Sequence, residues 1–205
     1  KGNGFNSSNA YWLRTGFGVK KYVHSSDTYE GGNIDNIVFK SEPAIRYADI
    51  LLMYAEAVNE LDGSYTIPAW KDGTYDISRN ITEMQKGIHP VRIRAGVPDY
   101  PSNVYNDKDE LRKRLKQERF IELLAEGQRY YDLRRWMDAN VEESLPIYGC
   151  NVLMNDVERD LFHQPVAVWA LETTFADKMW FWPISLTELK RNNRLTQNPG
   201  WNYND

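Results

Sequence analysis

The sequence predicts a mainly α-helical fold with irregular loops and a short β-ribbon. Three stretches carry helical periodicity, with apolar residues recurring every three or four positions: 43–61, 81–91 and 107–138. Capping residues and glycines stand near the ends of these stretches. Strand-like composition appears in two short runs, 166–169 and 179–182, which predict the ribbon.

The first helix is predicted to begin near Ser41 and to end at Gly63. Ser41 is suited to the N-cap, and Pro43 to the first turn, where a missing N–H group costs nothing. Two adjoining apolar stripes predict that the helix is buried on a wide face. These stripes consist of Ile45, Ala48, Leu52, Ala55 and Asn59, and of Tyr47, Leu51, Tyr54, Val58 and Leu61.

Pro90 interrupts the second helical stretch, because proline lacks the N–H group and clashes with the preceding turn. Two outcomes stay open: a kink at His89, or a new helix that starts at Pro90. The segments around the first two helices have no clear periodicity. Residues 20–23 are predicted to be extended, 27–36 and 63–79 to be loops, and 96–106 to be a connector.

Asp107 or Asp109 is predicted to cap the third helical stretch, which runs toward Glu126. Gly127 then kinks this helix or separates it from another that reaches Asp138. Nearer the C-terminal end, Ser185 and Glu188 have the spacing of a capping box, and 198–200 has the composition of a turn.

Composition excludes several classes of protein. The 205 residues carry a net charge of −4 and no basic block, which argues against nucleic acid or an anionic membrane surface as the main partner. Cys150 is the only cysteine, so a disulfide scaffold and a metal site with two thiolates are both excluded. No apolar run approaches the roughly 20 residues of a membrane-spanning helix.

The stretch 118–136 combines many charged residues with large aromatic and aliphatic ones. Its three glutamates are four positions apart, so a helix would place them along one ridge. A di-iron site would also need Glu-x-x-His on partner helices, and none of the three histidines has that context. We therefore predict a structural charge network in which Glu122 and Glu126 pair with Arg129, Arg134 or Arg92. Its members are Glu118, Arg119, Glu122, Glu126, Arg129 and Arg134.

The same stretch, E-R-x-x-E-L-x-x-E-G-x-R-Y-x-D-L-R-R-W, resembles the C-terminal signature of the SusD/RagB family. Three other segments are similar to family motifs in the family's order. They are the helix at 42–57, the R-I-R-A-G-V-P run at 92–98, and the F-W-P-I-S to N-P-G-W ending at 181–201.

The resemblance implies a nutrient-binding lipoprotein on the outer-membrane surface of a Gram-negative bacterium, beside a SusC-like TonB-dependent transporter. It also implies that the first two helices form a tetratricopeptide-like hairpin. Residues 1–205 would be a single domain, the C-terminal portion of a longer chain. A lipoprotein signal, a lipidated cysteine and helical repeats would precede it, and that lipid would be its only attachment to the membrane.

Aromatic residues in two loops are candidates for glycan binding. A tryptophan or tyrosine ring stacks on the apolar face of a sugar, and polar neighbours bind the hydroxyl groups. The candidates are Tyr11, Trp12 and Arg14, and Trp70, Asp72 and Tyr75. Four other tryptophans lie within or directly beside the matching motifs and are predicted to be core residues: Trp136, Trp180, Trp182 and Trp201.

The predicted function is capture of an oligosaccharide or polysaccharide for delivery to the transporter. No catalytic residues, cofactor or metal are predicted, because neither a nucleophile motif nor a phosphate-binding loop is present. Three alternatives remain: a docking module that braces the repeats and contacts the transporter, a peptide-uptake homologue, and a glycosidase.

Overall fold

The computed structural model describes residues 15–30, 33–41, 43–151, 159–168 and 173–202. Helices dominate, and the strands within these ranges form three two-stranded antiparallel ribbons. The mainly α-helical prediction is confirmed. The chain divides into two compact units, which we call the first unit (His24–Arg129) and the second unit (Lys1–Val23 with Tyr130–Asp205). The expectation of a single domain stays a prediction.

The first unit contains four helices and two ribbons. The ribbons are β1 (Thr28–Glu30) with β2 (Asn33–Asn36), and β3 (Ser64–Pro68) with β4 (Thr74–Ser78). The helices are α1 (Tyr47–Glu60), α2 (Ile81–Arg94), α3 (Ser102–Asn106) and α4 (Lys108–Glu122). Helix α5 (Gln128–Arg135) begins at the end of this unit.

Helices α1 and α2 pack closely because small residues stand at their contact. A Cβ atom built on Gly87 would lie 2.3 Å from the Leu51 carbonyl oxygen and 2.8 Å from the Ala55 Cβ. Around this contact Leu52, Met84 and other apolar side chains form the core of the unit. Burial of such side chains provides the main stabilisation of the pair.

Helix α1 starts later than predicted, at Tyr47. Arg46 is the N-cap residue and has an extended backbone. Its guanidinium binds Glu122, the last residue of α4, and Glu126, which follows that helix. A contact distant in sequence thus accompanies the start of the helix. Ile45 and Tyr47, both predicted on buried stripes, are exposed, so the buried face is narrower than expected.

Helix α2 runs without interruption through Pro90, so a new helix at that residue is wrong. The Asn80 side chain accepts from the Glu83 N–H group at its N-terminus, and Gly96 follows its end with a φ of 73°. Four other predictions were also wrong. Residues 27–36 and 63–79 contain hairpins, 102–106 form α3, and 20–23 form a turn.

Helix α4 is capped by Asp107, whose side chain accepts from the N–H groups of Asp109 and Glu110. It ends at Glu122 and does not reach Glu126. Ala125 and Gly127 both have positive φ angles, 63° and 78°, which a continuing helix does not allow. The break at Gly127 therefore separates α4 from α5.

The second unit combines short helices with a small ribbon. The strands β5 (Tyr148–Cys150) and β6 (Pro165–Ala167) are antiparallel, and the Cys150 N–H group donates to the Thr15 carbonyl. The predicted strand at 166–169 is confirmed for its first two residues, and Trp169 lies outside the described residues. The helices are α6 (Ala139–Glu142), α7 (Arg159–Phe162) and α8 (Leu186–Arg191).

The strand predicted at 179–182 is wrong, because Asp177–Trp180 form a 3₁₀ helix. Trp182 is 74% exposed and not a core residue, whereas the other three tryptophans assigned to the core are partly buried. Two other predictions are confirmed. Ser185 caps α8 by accepting from the Glu188 N–H group, and 198–201 form a turn.

None of the helices in the described ranges is both long enough and apolar enough to pass through a lipid bilayer.

Candidate functional site

The β3–β4 hairpin presents the candidate site at its tip. Its strands pair from Ser64 with Ser78 to Pro68 with Thr74, and five residues, 69–73, connect them. The Ala69 N–H group donates to the Gly73 carbonyl over 3.1 Å, and Gly73 has a φ of 88°. That backbone conformation favours glycine, in agreement with the turn predicted at 72–73.

Trp70 lies within this connection and is 97% exposed. It forms no hydrogen bond or ring contact with the parts of the chain that the structure describes. The neighbouring Lys71 and Asp72 are also exposed. A bare indole flanked by a cation and a carboxylate provides a flat apolar surface with polar groups at its edge, which suits a sugar ring.

Tyr75 has a different role from Trp70. The strand register places it on the same face of the hairpin as Ile77, which packs against the core. Its hydroxyl donates to Glu83 on α2 over 2.5 Å, and the residue is 36% exposed. Tyr75 therefore ties the hairpin to the helix and remains partly exposed.

The other predicted ligand-binding residues, Tyr11, Trp12 and Arg14, lie outside the described residues. Their role stays a prediction.

Two glutamates of the predicted ridge, Glu122 and Glu126, bind arginines that are distant in sequence. Arg46 donates from Nε and Nη2 to the Glu126 carboxylate over 2.8 and 2.7 Å, and from Nη1 to Glu122 over 2.8 Å. Arg94 adds a second bond to Glu122 over 2.5 Å. These carboxylates, Glu126 foremost, raise the pKa of the Arg46 guanidinium. We call Arg46, Arg94, Glu122 and Glu126 the Arg46 cluster.

Two further ion pairs link the same helices. Arg119 on α4 is 3% exposed and donates to Asp49 on α1 over 2.8 Å. Arg92 on α2 donates to Glu118 over 2.5 Å, and Tyr100 donates to the same oxygen over 2.9 Å. Buried charges need such partners, because an isolated one would be strongly destabilising.

The remaining two arginines of the predicted network lie against aromatic rings. The Arg129 guanidinium is 4.7 Å from the centre of the Phe120 ring. Within the second unit, the Arg134 guanidinium lies 3.5 Å from the centre of the Tyr130 ring and donates to Glu143. Cation–π contacts of this kind stabilise partly buried arginines.

In the described ranges, no three His, Cys, Asp or Glu side chains are arranged to hold a metal ion. Instead, the glutamates of the ridge bind guanidinium groups, which satisfies their charge. The ion pairs of this region join α1, α2 and α4.

Comparison with known proteins identifies the family. The sequence model described as the SusD family matches residues 1–201. The chain belongs to the SusD family. Its curated relatives include SusD-like protein P38 of Formosa agariphila, 40% identical over 104 residues, which are 51% of this chain and 18% of that protein. SusD-like protein P2 of the same organism is 29% identical over 160 residues, covering 77% of this chain and 25% of the relative.

Solved structures agree on the fold of this SusD-family chain. BT4246 is similar with a TM-score of 0.76 over 96% of this chain and 31% of its own, at 23% identity. That identity supports the fold alone. The chain spans a quarter or less of the length of the two curated relatives that it matches.

Sequence reasoning missed several residues that organise the SusD-family scaffold. Arg46, Arg94 and Asp49 bind members of the predicted network, yet none was named as a partner. All three lie in the segments that resemble family motifs, so those motifs could have indicated them as ion-pair partners. Glu83 was missed as well, and its only signal was its place three residues after a capping asparagine.

Proposed function

We propose that this protein is a non-catalytic glycan-binding subunit of a nutrient-uptake system on the outer-membrane surface of a Gram-negative bacterium. It captures an oligosaccharide and delivers it to a SusC-like TonB-dependent transporter. Membership of the SusD family supports the uptake role. The observation that carries glycan capture is the bare indole of Trp70, held at the tip of a hairpin on a packed helical pair.

Physical chemistry favours binding without reaction at this tip. A stacked sugar needs a flat apolar surface and a few polar groups, and no activated nucleophile or acid. Trp70 provides the surface, and Asp72 provides an acceptor for hydroxyl groups. Glu122 and Glu126, the acids that stand out in the sequence, are bound by Arg46, so they are not available as an acid–base pair.

The test is binding of the full protein to panels of soluble oligosaccharides and of oligopeptides by calorimetry. We expect Trp70→Ala to weaken the strongest glycan interaction at least about tenfold, because central stacking aromatics dominate such interfaces. Trp182→Ala is the matched control, since it removes another exposed tryptophan from the second unit. It should leave that affinity unchanged.

Three outcomes would contradict the proposal. Unchanged affinity in Trp70→Ala would remove the hairpin tip from the site. Binding to the peptide panel alone would make the cargo peptide. Release of reducing ends from any panel glycan would show catalysis.

A docking module is the second candidate, and a groove in the first unit favours it. The groove has a volume of about 520 Å³ and lies between the start of α1 and the end of α2, where Ile45, Tyr47 and Pro90 are among its lining residues. Ile50 and Met53 extend the exposed apolar surface along α1. Such surfaces mark protein contacts. If this role is correct, Tyr47→Ser should reduce co-purification of the transporter and leave glycan affinity intact.

A further inference from the structure

The carboxylate of Glu83 joins three elements at the base of the β3–β4 hairpin. It accepts from the Tyr54 hydroxyl on α1 over 2.5 Å, from the Tyr75 hydroxyl on β4 over 2.5 Å, and from Lys86 Nζ on α2 over 2.6 Å. Only 12% of its side chain is exposed. Charged acceptors form the stronger class of hydrogen bond, so this junction holds the strand firmly against the helices.

The backbone of Glu83 is fixed independently of its side chain. Its N–H group donates to the Asn80 side chain over 2.9 Å in the first turn of α2. The Asn80 amide in turn donates to the Ser78 carbonyl at the end of β4 over 3.1 Å. The carboxylate therefore projects from a point that the helix cap already fixes.

Tyr75 is the outermost tether of the hairpin within the described ranges. Nearer the helices, Ile77 packs against the core and Arg79 donates to the Tyr105 carbonyl over 2.7 Å. Beyond Tyr75, residues 68–74 are held by the strand pairing and by the Ala69 to Gly73 bond. The direction of the Trp70 loop thus depends on the last contact before it, the bond from Tyr75 to Glu83.

The protonation states keep this contact intact at neutral pH. Donors from Lys86, Tyr54 and Tyr75 lower the pKa of Glu83 to about 2, so it is a carboxylate. Burial and the bond to Glu83 raise the pKa of Tyr54, which therefore remains a donor. Three donors converge on one anion, and Lys86 Nζ also donates to the Tyr75 hydroxyl over 2.9 Å, which links two of the donors.

We propose that Glu83 is the positioning residue for Trp70: it holds Tyr75, and through Tyr75 it fixes the hairpin in the orientation that captures glycan. The inference rests on the proposed function for its role in binding, while the anchoring can be measured without any glycan. Glutamine at position 83 would remove the negative charge and replace one acceptor oxygen with an NH₂ group. It could not accept both at Oε1, where Tyr75 and Lys86 donate, and at Oε2, where Tyr54 donates.

The first test is amide hydrogen exchange of the full protein, with Glu83→Gln and Tyr75→Phe. Both variants should speed exchange of the β3–β4 amides about tenfold or more and leave the amides of the α1–α2 core unchanged, because local opening is independent of global unfolding. Tyr54→Phe is the matched control. It removes a bond to the same carboxylate from the helix side, so the hairpin should keep its protection. Equal exchange in wild type and Glu83→Gln would overturn the anchor.

The second test is a double-mutant cycle in glycan affinity, measured with the panel oligosaccharide that wild type binds most tightly. Glu83→Gln should weaken that affinity in the wild-type background and have no effect in the Trp70→Ala background, since it acts through Trp70. A loss of equal size in both backgrounds would overturn the positioning role. If wild type binds no panel glycan, the proposed function fails, and the exchange result alone decides the anchor.

Discussion

The Arg46 cluster and the tip of the β3–β4 hairpin belong to the same unit but differ in how their side chains are satisfied. The charges of the cluster are paired, whereas the indole at the tip is exposed. In the cluster, each guanidinium binds a carboxylate, and Arg46 uses all three of its nitrogens. At the tip, the indole of Trp70, a large apolar side chain, is 97% exposed. Stability explains the first arrangement and not the second, because covering an indole is favourable. The difference distinguishes the paired charges of the packed helices from the exposed indole that we propose binds glycan.

The largest expected effect comes from removing a buried ion pair between the packed helices. Arg119→Met should lower the free energy of unfolding by about 3–5 kcal/mol, because it leaves the Asp49 carboxylate buried without its guanidinium partner. The urea midpoint, followed by circular dichroism, measures the change. Combining it with Asp49→Asn should recover part of the loss. Wild-type stability in Arg119→Met would show that the pair is not a structural element.

A smaller loss is expected where α1 and α2 meet. Gly87→Ala should cost about 1–3 kcal/mol of unfolding free energy, because the added methyl group would overlap the Leu51 carbonyl and Ala55. Gly63→Ala is the control, since its nearest neighbour to a new Cβ is a Tyr65 ring carbon 3.9 Å away. Equal thermal midpoints for the two variants would contradict the close approach of the helices.

The smallest expected effect is a pH dependence of the contact between Glu83 and the hairpin. The pKa of Glu83 is lowered from 4.5 to about 2 in the folded protein. The stabilisation of the folded hairpin by the ionised carboxylate is therefore complete above pH 4.5 and declines as the pH falls toward 2. The pKa values of Lys86 and Tyr54, which face it, are raised, so both groups stay protonated across this range. The difference in hairpin amide protection between wild type and Glu83→Gln should shrink over that interval. A difference independent of pH would exclude the charge of Glu83 as the cause.

The sequence predicted the elements whose signals are local. The caps at Asp107 and Ser185 depend on residues two or three positions apart, and both were found. The break near Gly127 was one of two stated outcomes. The β3–β4 hairpin was missed because its strands are largely exposed and therefore lack a continuous buried face in their pattern.

Long-range partners could not be read from the sequence. Arg46 binds glutamates 76 and 80 positions away, and only the packing of the helices brings them together. The late start of α1 has the same origin, since Arg46 serves as both its N-cap residue and the centre of the cluster. Trp182 shows the converse error, because its place in a motif indicated a core residue while its side chain is exposed.

The tight contact at Gly87 has a consequence for how the hairpin between α1 and α2 can vary. Helices that meet this closely keep their alignment, and residues 69–73 at the hairpin tip form no part of their contact. Lengthening a surface connection costs little free energy, since the entropy of closing it grows only slowly with length. If the hairpin tip binds glycan as we propose, insertions and replacements within 69–73 would change ligand preference during evolution and leave the contact between the helices intact.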